Sequence, residues 1–138
     1  MNIFDLQIQT TASDGKHTPW ECAQMAKEQG LQTIAITDHD TVGGIEEALR
    51  AGADLGVRVI PGIEISVEER GAHILGLGID YKSSRLREFT ERFKEERSSR
   101  LKKMMENLKA NEGFIVEWEN VLQDAGEAAV LTSPHLVY

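Results

Sequence analysis

Polar and apolar positions alternate over residues 4–9, so Leu6 and Ile8 fall on one face of an extended strand and Asp5, Gln7 and Gln9 on the other. A polar loop follows, and then a helix start. Thr18 is placed to cap, Pro19 suits the first turn and Glu21 completes a capping box, while Gly30 ends the helix. "TIAIT", at 33–37, is a short apolar run rich in β-branched residues, as a buried parallel strand requires, and "IEEALRAGADLG" returns to helical periodicity. "VRVIPGIEISV" is extended again and sets Glu64, Ser66 and Glu68 opposite Ile63, Ile65 and Val67. A Glu-Arg-Gly turn at 69–71 then leads into a strand over "AHILGLGI".

From 84 to 111, Leu86, Phe89, Phe93, Leu101, Met104, Met105 and Leu108 recur mostly three and four residues apart, which predicts one long amphipathic helix. Its charged positions, among them Arg92, Lys94, Glu95, Glu96, Lys102 and Lys103, mix signs and so read as a solvated face. Gly113 marks its end, a short helix is expected over 119–124, and Ser133-Pro134 opens another. The chain reads as a single domain over 1–138, with 84–126 as a mainly helical, insertion-like segment inside it. Alternating strands and helices imply right-handed crossovers, a parallel sheet and functional residues at the C-terminal strand ends.

Composition narrows the possibilities. A net charge of −8 argues against a broad surface that tracks nucleic-acid phosphates, yet leaves room for a small phosphorylated substrate. The lone cysteine, Cys22, has no partner for an internal disulfide, and its helical neighbours Ala23, Met25 and Ala26 mark it as packed rather than nucleophilic. The N-terminus lacks a basic region followed by an apolar one, so a cytoplasmic location is expected. No apolar run approaches the roughly 18 residues of a membrane span.

The candidate chemistry lies at the strand ends: Gln7 and Gln9, Asp14 in the next loop, "TDHD" at 37–40, Glu64, His73, and His135 in "SPH". Individually several have plainer readings. Asp14 suits an ordinary turn, "TDHD" before a helix suits capping, and a strand histidine such as His73 is often only hydrogen-bonded. Glu64 is harder to explain so, because a carboxylate between Ile63 and Ile65 needs a polar pocket. Together, imidazoles and carboxylates are the donors that divalent metals take, and such ions polarise a phosphoryl oxygen and activate water.

In order and spacing, "TTASDG", "AITDHDT", "IPGIEIS", "HILGLGID" and "SPH" resemble the polymerase and histidinol phosphatase (PHP) family over nearly the whole chain. The resemblance implies an α/β fold of the distorted seven-stranded (β/α) barrel type. It also implies up to three divalent ions (manganese, iron or zinc) and hydrolysis of phosphoesters in nucleotides or nucleic-acid ends. It carries metal-ligand roles to Asp14, His39, Glu64, His73 and His135, with Asp14, His39 and Glu64 at the catalytic centre. Asp38 and Asp40 support the loop around His39.

Two departures qualify it. Where the family has D-x-H-x-H-x-x-x-S-D-G, this chain has Gln7 and Gln9 at the histidine positions, and an amide offers no imidazole nitrogen to a metal. The expectation is fewer than three ions, with both glutamines hydrogen-bonding to each other or to Asp5. Family members also usually continue beyond "SPH", so the barrel is expected to be incomplete. The resulting expectation is a PHP phosphoesterase, a hydrolase, of weakened or absent activity. The alternative is a non-catalytic remnant that binds metal or phosphate or serves in assembly. An open sheet edge further predicts a homodimer or domain swap.

Overall fold

The first helix begins where its local chemistry dictates. Thr18 accepts a hydrogen bond from the Glu21 N–H and the Glu21 carboxylate accepts one from the Thr18 N–H, so the capping box forms in full ahead of α1 (Pro19–Glu28). The computed structural model describes residues 3–67, 72–112, 115 and 117–125. In chain order the other elements are β1 (Phe4–Ile8), β2 (Thr33–Ile36), α2 (Ile45–Leu55), β3 (Arg58–Val67), β4 (Ala72–Leu77), α3 (Ser84–Glu112) and α4 (Trp118–Ala125). The turn expected at 69–71, Gly113 and the helix expected from Ser133 lie outside the described residues.

The sheet has the order β1-β2-β3-β4. Parallel pairing holds for β1 with β2 and β2 with β3, each connected by a helix. β4 departs from the all-parallel expectation: it runs antiparallel to β3, with Glu64 opposite Leu75 and Ser66 opposite His73. The three strands of the parallel part have helical crossovers between them, whereas only a short connection separates β3 from β4, too short for the dozen or so residues a parallel return needs.

Small residues let the two crossover helices approach the sheet closely. Cys22, Ala23 and Ala26 of α1 and Ala48 and Ala51 of α2 form one buried cluster with Ile34, Ile36 and Val57, and Ile8, Leu31, Leu55 and Val59 pack against it. α3 runs through 29 residues, and its sheltered positions form a stripe through Leu86, Phe89, Phe93, Leu101, Met105 and Leu108, whereas Met104, expected in the stripe, is exposed. Lys102 Nζ lies 4.7 Å from the centre of the Trp118 ring and links α3 to α4. Among the described residues no helix is long and apolar enough to cross a membrane.

Candidate metal centre

The centre is assembled where β2 ends beside β3. Beyond Ile36, the backbone continues to pair: the Glu64 N–H donates to the Asp38 carbonyl and the Asp40 N–H to the Glu64 carbonyl, so His39 and Glu64 stand side by side in a parallel bridge. His73 pairs with Ser66, two residues from Glu64, which makes it a diagonal neighbour on the same face. One donor atom each from His39, Glu64 and His73 falls within 4.8 Å of the others. The two imidazole rings meet edge to face, with centroids 4.9 Å apart.

Glu64 is 6% exposed and has its hydrogen bonds made on both oxygens. Oε2 accepts from Gln7 Nε2 at 3.0 Å and Gln9 Nε2 at 2.8 Å, and Oε1 lies 2.7 Å from His73 Nδ1. Burial pushes the Glu64 carboxyl up, but the hydrogen bonds from Gln7, His73 and Gln9, together with His39 nearby, outweigh it and hold the group below the usual carboxylate range. Glu64 Oε1 and a His73 ring nitrogen thus stand together at the pocket, where one divalent ion could meet both. The glutamines therefore differ from expectation: their side chains meet on Glu64, not on one another or on Asp5. Asp5 is exposed and accepts from the backbone N–H of Gln7.

Asp38 and Asp40 flank His39 and are both buried. Asp38 accepts from the Thr10 N–H (2.7 Å), the Thr10 hydroxyl (2.9 Å) and the Ser13 hydroxyl (2.8 Å), fastening the loop after β1 to the end of β2. Burial raises its carboxyl above the ordinary range against the pull of these bonds, and the charge of Asp14 adds to the rise. Asp40 adopts φ 51°, a left-handed conformation that aspartate tolerates better than most residues. Its Oδ1 accepts from the Ser66 N–H at 2.8 Å, and its Oδ2 pairs with Arg97 Nε at 2.6 Å. The same guanidinium reaches the Ser66 hydroxyl.

Arg97 is the residue that sequence reasoning missed. It occupies the gap between Phe93 and Leu101 in the sheltered stripe of α3, and a lone charge at a stripe position was the available signal. Thr10 and Ser13 lie in the quoted "TTASDG" motif, but nothing in it signalled the bonds each makes to Asp38. Asp14 stands outside the His39–Glu64–His73 group, and His135 lies outside the described residues.

The donor set fits a divalent ion. His39 Nδ1 and Asp14 Oδ1 are buried without a hydrogen-bond partner among the described residues, and a buried polar atom left so is costly unless something else meets it. Two imidazoles and a carboxylate on one face are donors that a divalent ion takes.

An α/β sheet curled like part of a barrel, with imidazoles and a carboxylate gathered at its strand ends, defines an α/β domain with a candidate divalent-metal site. The PHP domain model matches residues 5–125, and the chain belongs to that family. It is 40% identical over 134 residues to the 5'-3' exoribonuclease Rnm of Salmonella typhimurium, a match that covers 93% of this chain and 45% of that protein. It is 36% identical over 112 residues to the 3',5'-nucleoside bisphosphate phosphatase of Chromobacterium violaceum, covering 80% of this chain and 39% of the relative. Among solved structures, a predicted metal-dependent phosphoesterase from Bifidobacterium adolescentis superposes with a TM-score of 0.84 at 29% identity, over 97% of this chain and 48% of that one. The chain thus spans less than half the length of these three proteins.

Proposed function

We propose that this chain hydrolyses phosphoester bonds in nucleotides or at nucleic-acid ends as a metal-dependent phosphoesterase domain, with turnover weakened by Gln7 and Gln9. The observation that carries the reading is the convergence of His39, Glu64 and His73 within 4.8 Å. Its substrate class follows the relatives, which act on RNA and on a nucleoside bisphosphate. A divalent ion held there would lower the pKa of a water molecule and offset charge on a phosphoryl oxygen.

The protein's own groups divide the remaining work. His39 offers Nδ1, Glu64 its Oε1 and His73 the ring nitrogen beside it, with Asp14 and His135 as further ligands. Asp38 and Asp40 fix the backbone on either side of His39. Fewer than three ions, drawn from manganese, iron and zinc, fit a site with amides at two ligand positions. Residues 1–138 act as one partial domain with the helical segment 84–126 inside it, in the cytoplasm. β1, at the sheet edge, exposes Phe4, with Ile3 exposed just before it, and is the pairing surface for a homodimer.

Elemental analysis of the protein as purified, followed by an assay on a generic phosphomonoester with added manganese, tests the reading. The expected result is bound transition metal and slow, manganese-dependent hydrolysis. Metal-free protein that stays inactive after manganese addition overturns it.

A further inference from the structure

We infer that Gln7 and Gln9 are a built-in substitute for one cation: their amides occupy Glu64 Oε2, satisfy the carboxylate without metal, and leave it only Oε1 for a single divalent ion shared with His39 and His73. This inference rests on the reading of the pocket as a metal site and adds how many ions it takes and why.

The geometry supports it at one atom. A carboxylate oxygen has two lone pairs in its plane, and Oε2 receives two N–H groups, at 3.0 Å from Gln7 and 2.8 Å from Gln9. To bridge two ions, a carboxylate must present both oxygens or both lone pairs of one, and Oε1 here already uses one of its two on the contact with His73. An ion approaching Oε2 here would have to displace two charge-assisted hydrogen bonds, whereas Oε1 carries only the contact with His73. A glutamine kept merely for polarity has no reason to converge with a second glutamine on one oxygen. The buried carboxylate supplies that reason, since it otherwise needs a positive partner.

Thermal melting in chelator and calorimetric titration with manganese test the inference on the full chain. Gln9→Glu preserves shape but replaces an N–H donor with an oxygen acceptor beside Oε2. Gln7→Met with Gln9→Met removes both donors without adding charge. The unsubstituted protein should bind one manganese ion per chain. In chelator, Gln9→Glu should melt at least about 5 °C lower, with a smaller fall for the methionine pair. Manganese should raise the melting temperature of both variants more than that of the unsubstituted chain, with Gln9→Glu binding about tenfold tighter through its added carboxylate.

Two ions per unsubstituted chain, or variants that melt in chelator as the unsubstituted chain does, overturn the inference. If Gln9→Glu folds only with manganese the inference is supported, and if it does not fold at all the methionine pair decides. Failure of every protein to bind manganese overturns the metal reading and the ion count with it, while the melts in chelator still report separately whether the amides stabilise Glu64.

Discussion

At position 44 only a hydrogen fits. A Cβ there would stand 2.9 Å from Asp38 Oδ2, 3.0 Å from Thr10 Oγ1 and 3.1 Å from Pro19 Cγ, and the first two atoms are committed to each other by a hydrogen bond. The absence of a side chain lets the start of α2 press against the buried carboxylate, where the positive end of the helix is favourable. Gly44→Ala should therefore destabilise the protein by about 1–3 kcal/mol, read from urea unfolding. Cys22 is governed by burial in the same region. Loss of solvent, with smaller contributions from the charges of Asp38 and Glu21, pushes its thiol up to about 11. At pH 7.5 iodoacetamide should leave Cys22 unmodified in the native protein and label it fully in denaturant, as followed by mass spectrometry. Rapid native labelling would contradict the burial.

At the scale of elements, the ends of α1 and the anchoring of α3 make contrasting cases. The capping box of α1 is local, and Thr18→Ala should cost about 1 kcal/mol in chemical denaturation. Hydrogen bonds from the Thr18 N–H and hydroxyl, aided by His17, hold the exposed Glu21 carboxyl below its ordinary value. Its contribution is thus present above the unfolded-state pKa and lost as pH falls through the folded one, so the effect of Glu21→Gln on stability should shrink in acid. α3 is anchored instead by Arg97, and removing the guanidinium leaves Asp40 buried with a charge and one partner fewer. Arg97→Met should cost about 3 kcal/mol, and adding Asp40→Asn should recover part of it. Sequence periodicity reads α1 and α3 well because caps and stripes depend on neighbours three or four positions away. The pairing of Arg97 with Asp40 joins residues 57 apart, as does that of Gln7 with Glu64, and nothing in local spacing encodes such distances. The reversal of β4 was likewise obscured by the strand-helix rhythm that precedes it.

For the whole molecule, charge and sheet edge set the expectations. With a net charge of −8, the chain would repel the phosphorylated substrates proposed for it at long range, and raising salt from about 20 to 200 mM should then lower KM by screening that repulsion. An unchanged KM across that range would show that charges near the site outweigh the total. Sedimentation tests the edge of β1: a species heavier than the monomer is expected, and a monomer at every accessible concentration removes the pairing. One feature of the centre reaches beyond its chemistry. Strand order sets β2 between β1 and β3, yet the bonds from Gln7 and Gln9 to Glu64 join those outer two directly. They act as a chord across an arc, so the curvature of the wall is braced by side chains as well as by its backbone ladder, and any ligand that takes Glu64 away from them also loosens the arch.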